Sequence, residues 1–464
     1  MNSKDLSISL NAITIHSFFT GILIFFFTML FSDINYSQDE APVTPMDYDS
    51  NTVVKSSTQV EDSTFKNMIA GEFTPGKGFD IVKTNFGSLN ISAYGVVRWI
   101  DQLPNEDTYT DHLGRSRPVK GRNDIYFQRS MIWLTGFIGT NRLRYNLTIW
   151  GLGTTQQTLL FGNLQYIVGS GLRIGAGVSP NLGIRSLQGS FPYWNGSDRQ
   201  MGEEALRPGF TMSLFISGQM LPKLYYTAAI GNNLSILGTT ANNLTRDLAP
   251  SVSLFWMPTT GEFGPRGGHG DLEHHTKLAT RFGISFNHFR DSKQNSPNDS
   301  LSGNTQVKIS DGIPLYERGA LADGVTVLNS NFDMGSVDIG LKYRGFFFQA
   351  QYFYRNLSKF NTIGTLPNDF PSSILDQVLQ IDLSHMVIHR TLNAYVSGSY
   401  MFDDFKNNPY EISAGLNYYP LHTRNWRLNA HFIYVTKSPA SSTFGYYVAG
   451  QTGPTLSISS DILF

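Results

Sequence analysis

The chain ends on a segment whose side chains change character at every second residue. From Thr455 to Phe464, one face carries Leu456, Ile458, Ile462 and Phe464, interrupted only by Ser460. The other carries Thr455, Ser457, Ser459 and Asp461, with Leu463 as the exception. A helix does not bring residues two apart onto one face; a strand does, and a two-faced strand separates two solvents. Those solvents are core and water in a sandwich, or lipid and a wet lumen in a membrane barrel.

The rest of the chain favours the barrel. Two-faced segments recur through residues 87–464, among them Leu89–Trp99, Phe127–Thr140, Leu143–Trp150, Gly209–Leu221, Gln306–Ile313, Asp333–Gly345, Phe346–Lys359 and Asn425–Lys437. Merging doubtful pieces gives about 16 strands, one of the even numbers usual in single-chain outer-membrane barrels. Tight connections at Asn141-Arg142, Pro222-Lys223, Gly345-Phe346 and His422-Thr423 alternate with long polar ones at 101–125, 180–208, 231–249, 290–305, 359–376 and 437–443. Short turns on one side and long extracellular loops on the other is the barrel arrangement. Charged residues make up only 15% of the chain and aromatics 13%, where soluble proteins carry about 25% charged residues. That composition suits a lipid-facing wall with aromatic girdles. The expected fold class is therefore all-β: a transmembrane antiparallel β-barrel whose outer partners are outer-membrane lipid and lipopolysaccharide. A closing aromatic, Phe464, resembles the signal read by the barrel insertion machinery.

Upstream of the barrel, Lys4 precedes the apolar run Phe18–Phe31, and a polar stretch follows from Ser32. The run is about 14 residues, short of the roughly 20 a spanning helix needs. Residues 1–37 read as a signal peptide. Residues 38–86, rich in Asp, Ser, Thr and Pro, read as a partly disordered periplasmic extension. The chain has no cysteine, which excludes disulfides and thiolate metal sites. A net charge of −1 argues against a nucleic-acid partner.

Parity assigns the lumen. Placing the oily set toward lipid turns Arg98, Arg144, Arg173, Arg281, Lys342, Arg344, Arg355 and Arg427 inward, with Asp338, Glu411 and Asp461 as acidic members. An excess of inward cations biases a pore toward anions, and arginine presents a planar fork to phosphate or carboxylate. Asn181–Arg207 is a long connection holding Arg185, Arg199 and Arg207, with Asp198, Glu203, Glu204 and the cluster Phe191-Pro192-Tyr193-Trp194. It is a candidate constriction loop folding into the barrel. The expected function is passive diffusion of small hydrophilic solutes, biased to anions; the alternative is a non-channel barrel serving adhesion or envelope assembly.

No enzyme, cofactor or metal is expected. His269, Asp271, Glu273, His274 and His275 have metal-ligand chemistry, but their Gly-rich setting reads as a solvated loop. Ser384 with His385 and His389 would suit a nucleophile and base, without a distinct acid partner in the sequence.

The stretch Gly171-Leu172-Arg173-Ile174-Gly175-Ala176-Gly177-Val178-Ser179-Pro180 is similar to a strand of the phosphate-selective porin O and P family. Arg207-Pro208-Gly209-Phe210, Gly218 and Leu224 to Asn232 resemble that family's following hairpin. The match covers about residues 165–235. The resemblance implies a 16-stranded, usually trimeric channel for anions such as phosphate. Family phosphate channels line their narrowest point with lysines, whereas arginine carries the charge here.

Overall fold

The computed structural model describes residues 74–153, 157–232, 247–292, 307–441 and 445–464. The expected signal peptide 1–37 and residues 38–73 of the expected extension lie outside them. In chain order the strands are β1 (Phe79–Lys83), β2 (Ser88–Gln102), β3 (Thr108–Thr110), β4 (Ser116–Pro118), β5 (Asn123–Ile138), β6 (Thr140–Leu152), β7 (Gln157–Gly169) and β8 (Leu172–Pro180). A short helix, α1 (Met201–Leu206), precedes β9 (Phe210–Leu221), β10 (Leu224–Asn232), β11 (Leu248–Trp256), β12 (Ala279–Ser292) and β13 (Thr326–Tyr343). Then come β14 (Phe346–Ile363), β15 (Ser373–Ile388), β16 (Leu392–Asp403), β17 (Tyr410–Tyr418), β18 (Trp426–Thr436) and β19 (Gly453–Leu463).

Each barrel strand pairs antiparallel with its neighbour in sequence. The C-terminal β19 closes the ring on β2, from Thr455 opposite Gln102 to Leu463 opposite Tyr94. Of the 17 strands in this sheet, β1 is a short flap on the base of β2, which leaves 16 in the closed ring. Closure removes every sheet edge, so the backbone of the ring pairs from strand to strand within the wall. Alternation does the rest. On β9 the side chains of Met212, Leu214 and Ile216 are exposed outward while Ser213 and Ser217 are buried inward. On β12 Phe282, Ile284 and Phe286 face out while Ser285 and Asn287 face in. Such apolar side chains around the outside form the belt of a transmembrane barrel.

Four details depart from the sequence reading. Phe79–Lys83, within the expected extension, forms β1 on the base of β2, and Phe79 packs on Phe464 with ring centroids 5.4 Å apart. The turn expected at Asn141-Arg142 falls at Gly139, whose φ of 70° suits glycine. The segment expected as a strand at 306–313 does not join the wall where described: Lys308 bridges only to Pro314, and the side chains of Lys308, Ser310 and Asp311 bond Ser441, Asp403 and His112. Residues 257–278 form a long connection on the short-turn side, where only tight turns were expected.

Candidate functional site

Loop 181–207 does more than narrow the barrel. Of its 27 residues, all but Tyr193, Gln200, Glu204 and Arg207 are buried. It touches the wall nearly all the way round. Gly183 sits beside Asn287 and Met334, and Phe191 lies edge-on to Tyr94 at 5.1 Å. The backbone carbonyl of Asn195 accepts from Asn417 at 3.0 Å. Asp198 meets Arg129 at 3.3 Å, and Glu411 accepts from the Met201 amide at 2.6 Å. Helix α1 seats Gly202 against Val378 and Ser399.

A second loop rises to meet it from the opposite, periplasmic side. Residues 257–278 fold inward, and backbone groups of the two loops bond to each other. The Ser190 amide donates to the Arg266 carbonyl at 2.9 Å, and the His269 amide to the Tyr193 carbonyl at 2.6 Å. Arg266 Nη1 donates to the Phe191 carbonyl at 2.7 Å, and Arg185 Nη2 to that of Gly267. Arg266 takes a positive φ of 56° at the tip, with glycine on its far side. Above both loops, residues 307–325 cross the mouth from β12–β13 to the loop between β2 and β5, on the other side of the ring. Arg117 meets Glu317 at 2.7 Å, His112 meets Asp311 at 2.7 Å, and Lys308 donates to the Ser441 carbonyl at 2.7 Å.

The expected lumenal cations separate into three groups. Arg98, Arg281, Lys342, Arg355 and Arg427 are buried inside, as parity predicts. Arg98 donates to Tyr126 at 2.8 Å and lies 4.0 Å from Asp198. Arg281 bonds Asp338, and Arg355 bonds Asp376 at 2.6 Å. Arg427 bonds Asp461 at 2.8 Å, while the Lys342 ammonium lies over the Phe263 ring at 4.9 Å. Arg144 and Arg173 keep the lumenal parity near the periplasmic mouth, where they bond the Asn141 carbonyl at 3.0 Å and Gln165 at 3.0 Å. Arg344 is not on the wall. It shares the two-residue turn between β13 and β14 with Gly345, their φ values being 47° and 86°. Two positive φ values are the signature of a type I′ hairpin, so the turn takes Arg344 out of the strand alternation. In the loop, Arg185 bonds Gln349, Arg199 donates to Ser186 at 3.0 Å, and Arg207 meets Glu204 at 3.2 Å.

The expected excess of inward cations is matched by carboxylates. The wall buries six basic side chains, Arg98, Arg129, Arg281, Lys342, Arg355 and Arg427, and six acidic ones, Asp291, Asp338, Asp376, Asp382, Glu411 and Asp461. Their arrangement is segregated. Every buried wall carboxylate lies on β12 to β19. The lumenal face of β2 to β8 carries Arg98, Arg129, Arg144 and Arg173, and its one carboxylate, Asp124, sits exposed at the extracellular end beside Arg122 at 3.4 Å. Asp198 of the loop faces that basic arc.

Asp271, Glu273 and His275 each offer a ligand atom within 4.8 Å of the others. Both ring nitrogens of His275 are already engaged, Nδ1 by Asp271 and Nε2 by Glu262 at 3.0 Å. Burial opposes its charge, but these two carboxylates outweigh burial and raise its pKa to about 9. Asp271 also accepts the Gly345 amide at 2.7 Å, so the group is a charge clamp that ties loop 257–278 to the β13–β14 turn. Ser384 is buried inside, and its neighbour His385 lies on the opposite face of β15. His389 packs edge-on to His274 at 4.8 Å. These residues do not assemble a nucleophile and base.

A scan against protein-family models finds no match, the phosphate-selective porins included, and a search of curated proteins finds none. Solved structures do match. OmpT, an outer-membrane protein of Vibrio cholerae, aligns with a TM-score of 0.50 at 11% identity over 83% of this chain and 99% of its own. An anion-selective porin from Comamonas acidovorans aligns at 0.48 and 10% identity over 82% and 100%. The outer-membrane channel DcaP of Acinetobacter baumannii aligns at 0.43 and 9% over 83% and 99%. At such identities the likeness is one of fold. The chain shares the closed antiparallel barrel of OmpT. A closed antiparallel barrel with this outward apolar belt is built for a bacterial outer membrane.

Proposed function

We propose that the chain is an outer-membrane porin through which small hydrophilic solutes diffuse down their own gradients, with a bias to anions, and that the state described is its closed one. The observation that carries this is the inner wall. Among the apolar side chains it buries, such as Val96, Phe289, Met334, Phe353 and Val378, stand many polar ones, and several of these, among them Ser251, Ser253, Ser399, Ser457, Ser459 and Gln351, find no hydrogen-bond partner in the protein. A dry structural core satisfies such groups; a surface built to face water leaves them to solvent. Anion bias is supported by the basic arc of β2 to β8. When loop 181–207 leaves, Asp198 leaves with it, and Arg98 and Arg129 face the opened lumen with the arc's one carboxylate, Asp124, taken up by Arg122 at the rim. Phosphate belongs among the proposed anions through the family resemblance. A homotrimer, and recognition of Phe464 by the insertion machinery, belong to the same proposal.

Planar-bilayer recording tests it. Purified protein should give stepwise currents and a reversal potential toward Cl⁻ in a salt gradient. Arg98→Glu with Arg129→Glu should move that potential toward the cation side. A cation-favouring potential in the unmodified protein would sink the anion bias. Complete absence of steps would favour a barrel with a permanently filled interior, acting in adhesion or envelope assembly.

A further inference from the structure

Where loop 181–207 presses on the basic arc, it presents a ring and a carboxylate to one guanidinium. The Phe191 ring centre lies 5.5 Å from Cζ of Arg129. Asp198 accepts from Arg129 Nη2 at 3.3 Å and from Gln128 Nε2 at 2.6 Å. Around them the wall supplies aromatic surface. Tyr94 meets Phe191 edge-on, and the Trp150 ring lies 5.9 Å from Arg129. The fit is incomplete on the donor side. Arg129 is 3% exposed, yet its Nε and Nη1 have no hydrogen-bond partner, and neither does Nε1 of the buried Trp150. Asp198, tethered by its loop, reaches only one nitrogen of the fork. A carboxylate free to turn can take two parallel N–H bonds from such a fork, while its ring replaces that of Phe191 over the guanidinium.

We propose that Arg129, Gln128, Tyr94 and Trp150 form a binding site for small aromatic carboxylates, and that Phe191 and Asp198 occupy it as the chain's own competitor. The inference deepens the channel reading by naming a solute class, and rests on that reading only for transport. An aromatic carboxylate that wins the site displaces the Asp198 anchor of the plug, so the solute that binds also loosens the loop. Acetate lacks the ring and benzyl alcohol lacks the charge. Each satisfies half the site.

The test is equilibrium binding of phenylacetate to the full chain in detergent, read by tryptophan fluorescence and by calorimetry. Phenylacetate should bind about tenfold more tightly than acetate or benzyl alcohol, the worth of one added favourable contact. Asp198→Asn should raise phenylacetate affinity about tenfold by removing the competing carboxylate. Phe191→Ala should raise it for phenylacetate and leave acetate unchanged. Arg129→Gln should abolish binding. Phenylacetate binding no better than acetate, or weakened by Asp198→Asn, overturns the proposal, as does survival of binding in Arg129→Gln. Gains of affinity cannot come from misfolding, so the two loop variants keep the test sound. Since binding is read without transport, a silent bilayer with intact binding faults the channel reading alone, and conductance without binding faults this one alone.

Discussion

Replacing Arg427 by alanine should release loop 181–207 and open the barrel. Arg427 is fully buried and divides its guanidinium between wall and loop. Nε donates to Asp461 at 2.8 Å, a contact between adjacent strands that does not hold the loop. Nη1 donates to the carbonyls of Trp194 at 2.6 Å and Asn195 at 3.3 Å, and Nη2 to that of Gly196 at 3.2 Å. A charge-assisted bond is worth about 1.5–3 kcal/mol when its loss leaves a group dry. These carbonyls meet water once the loop moves, so about 1 kcal/mol each is the appropriate figure. Three bonds then come to about 3 kcal/mol, roughly a hundredfold in the closed-to-open ratio. A closed-to-open population of about 99:1 would become about even. Asp461 keeps Arg424 as a partner, so the change leaves no buried carboxylate alone. Single-channel recording reads the open probability directly. An unchanged or lowered open probability, in a variant that still migrates as a folded barrel on unheated gels, would refute the view that this arginine holds the plug.

Three further outcomes follow from the same geometry. A β-carbon at Gly202 would stand 2.7 Å from Ser399 Oγ, close to the roughly 3 Å from a β-carbon to the far sulfur of a disulfide. The pair Gly202→Cys and Ser399→Cys, in a chain otherwise free of cysteine, should be silent in bilayers when oxidised and conduct when reduced; equal currents in both states would show that α1 need not move. Asp376→Asn should cost about 3–5 kcal/mol by leaving Arg355 buried without its partner, read as earlier thermal loss of the folded gel band. The double change with Arg355→Gln should recover part of that stability. The His275 clamp has a pKa raised from 6.5 to about 9, so its stabilisation is full below about pH 6.5 and is lost as pH rises through 9. Proteolysis within 257–278 should therefore increase from pH 7 to 10, and in His275→Gln it should be high at every pH.

Much of the wall was legible in the sequence. Alternation is local: each residue's face follows from its neighbours two away, so Arg98, Arg281, Arg355 and Arg427 could be placed inside without coordinates. Alternation stops placing residues where a bulge or a tight turn breaks the period of two. Arg129 was missed because the register shifts between Val96 and Val97, with Phe127 opposite one and Arg129 opposite the other. Gln128 is the extra residue, and counting by twos from Phe127 across that bulge sends Arg129 to the wrong face. Arg344 was misplaced because a two-residue turn looks like strand to a parity rule. Asp376 falls in the connection 359–376 by periodicity, because β15 begins at Ser373, before its apolar pattern becomes clear.

The sequence alone determined the closed two-faced wall that begins near Leu89 and ends at Phe464, because a strand between lipid and water writes its period into every second side chain. It also marked 181–207 as the loop to watch. Only the tertiary structure decided what fills the barrel. Loops have no period, and the contacts that hold them join residues far apart in the chain: Phe191 to Arg266, Asp198 to Arg129, Glu317 to Arg117. Whether an inward arginine is free to meet a solute or is held by a carboxylate depends on those distant partners, which no local pattern records.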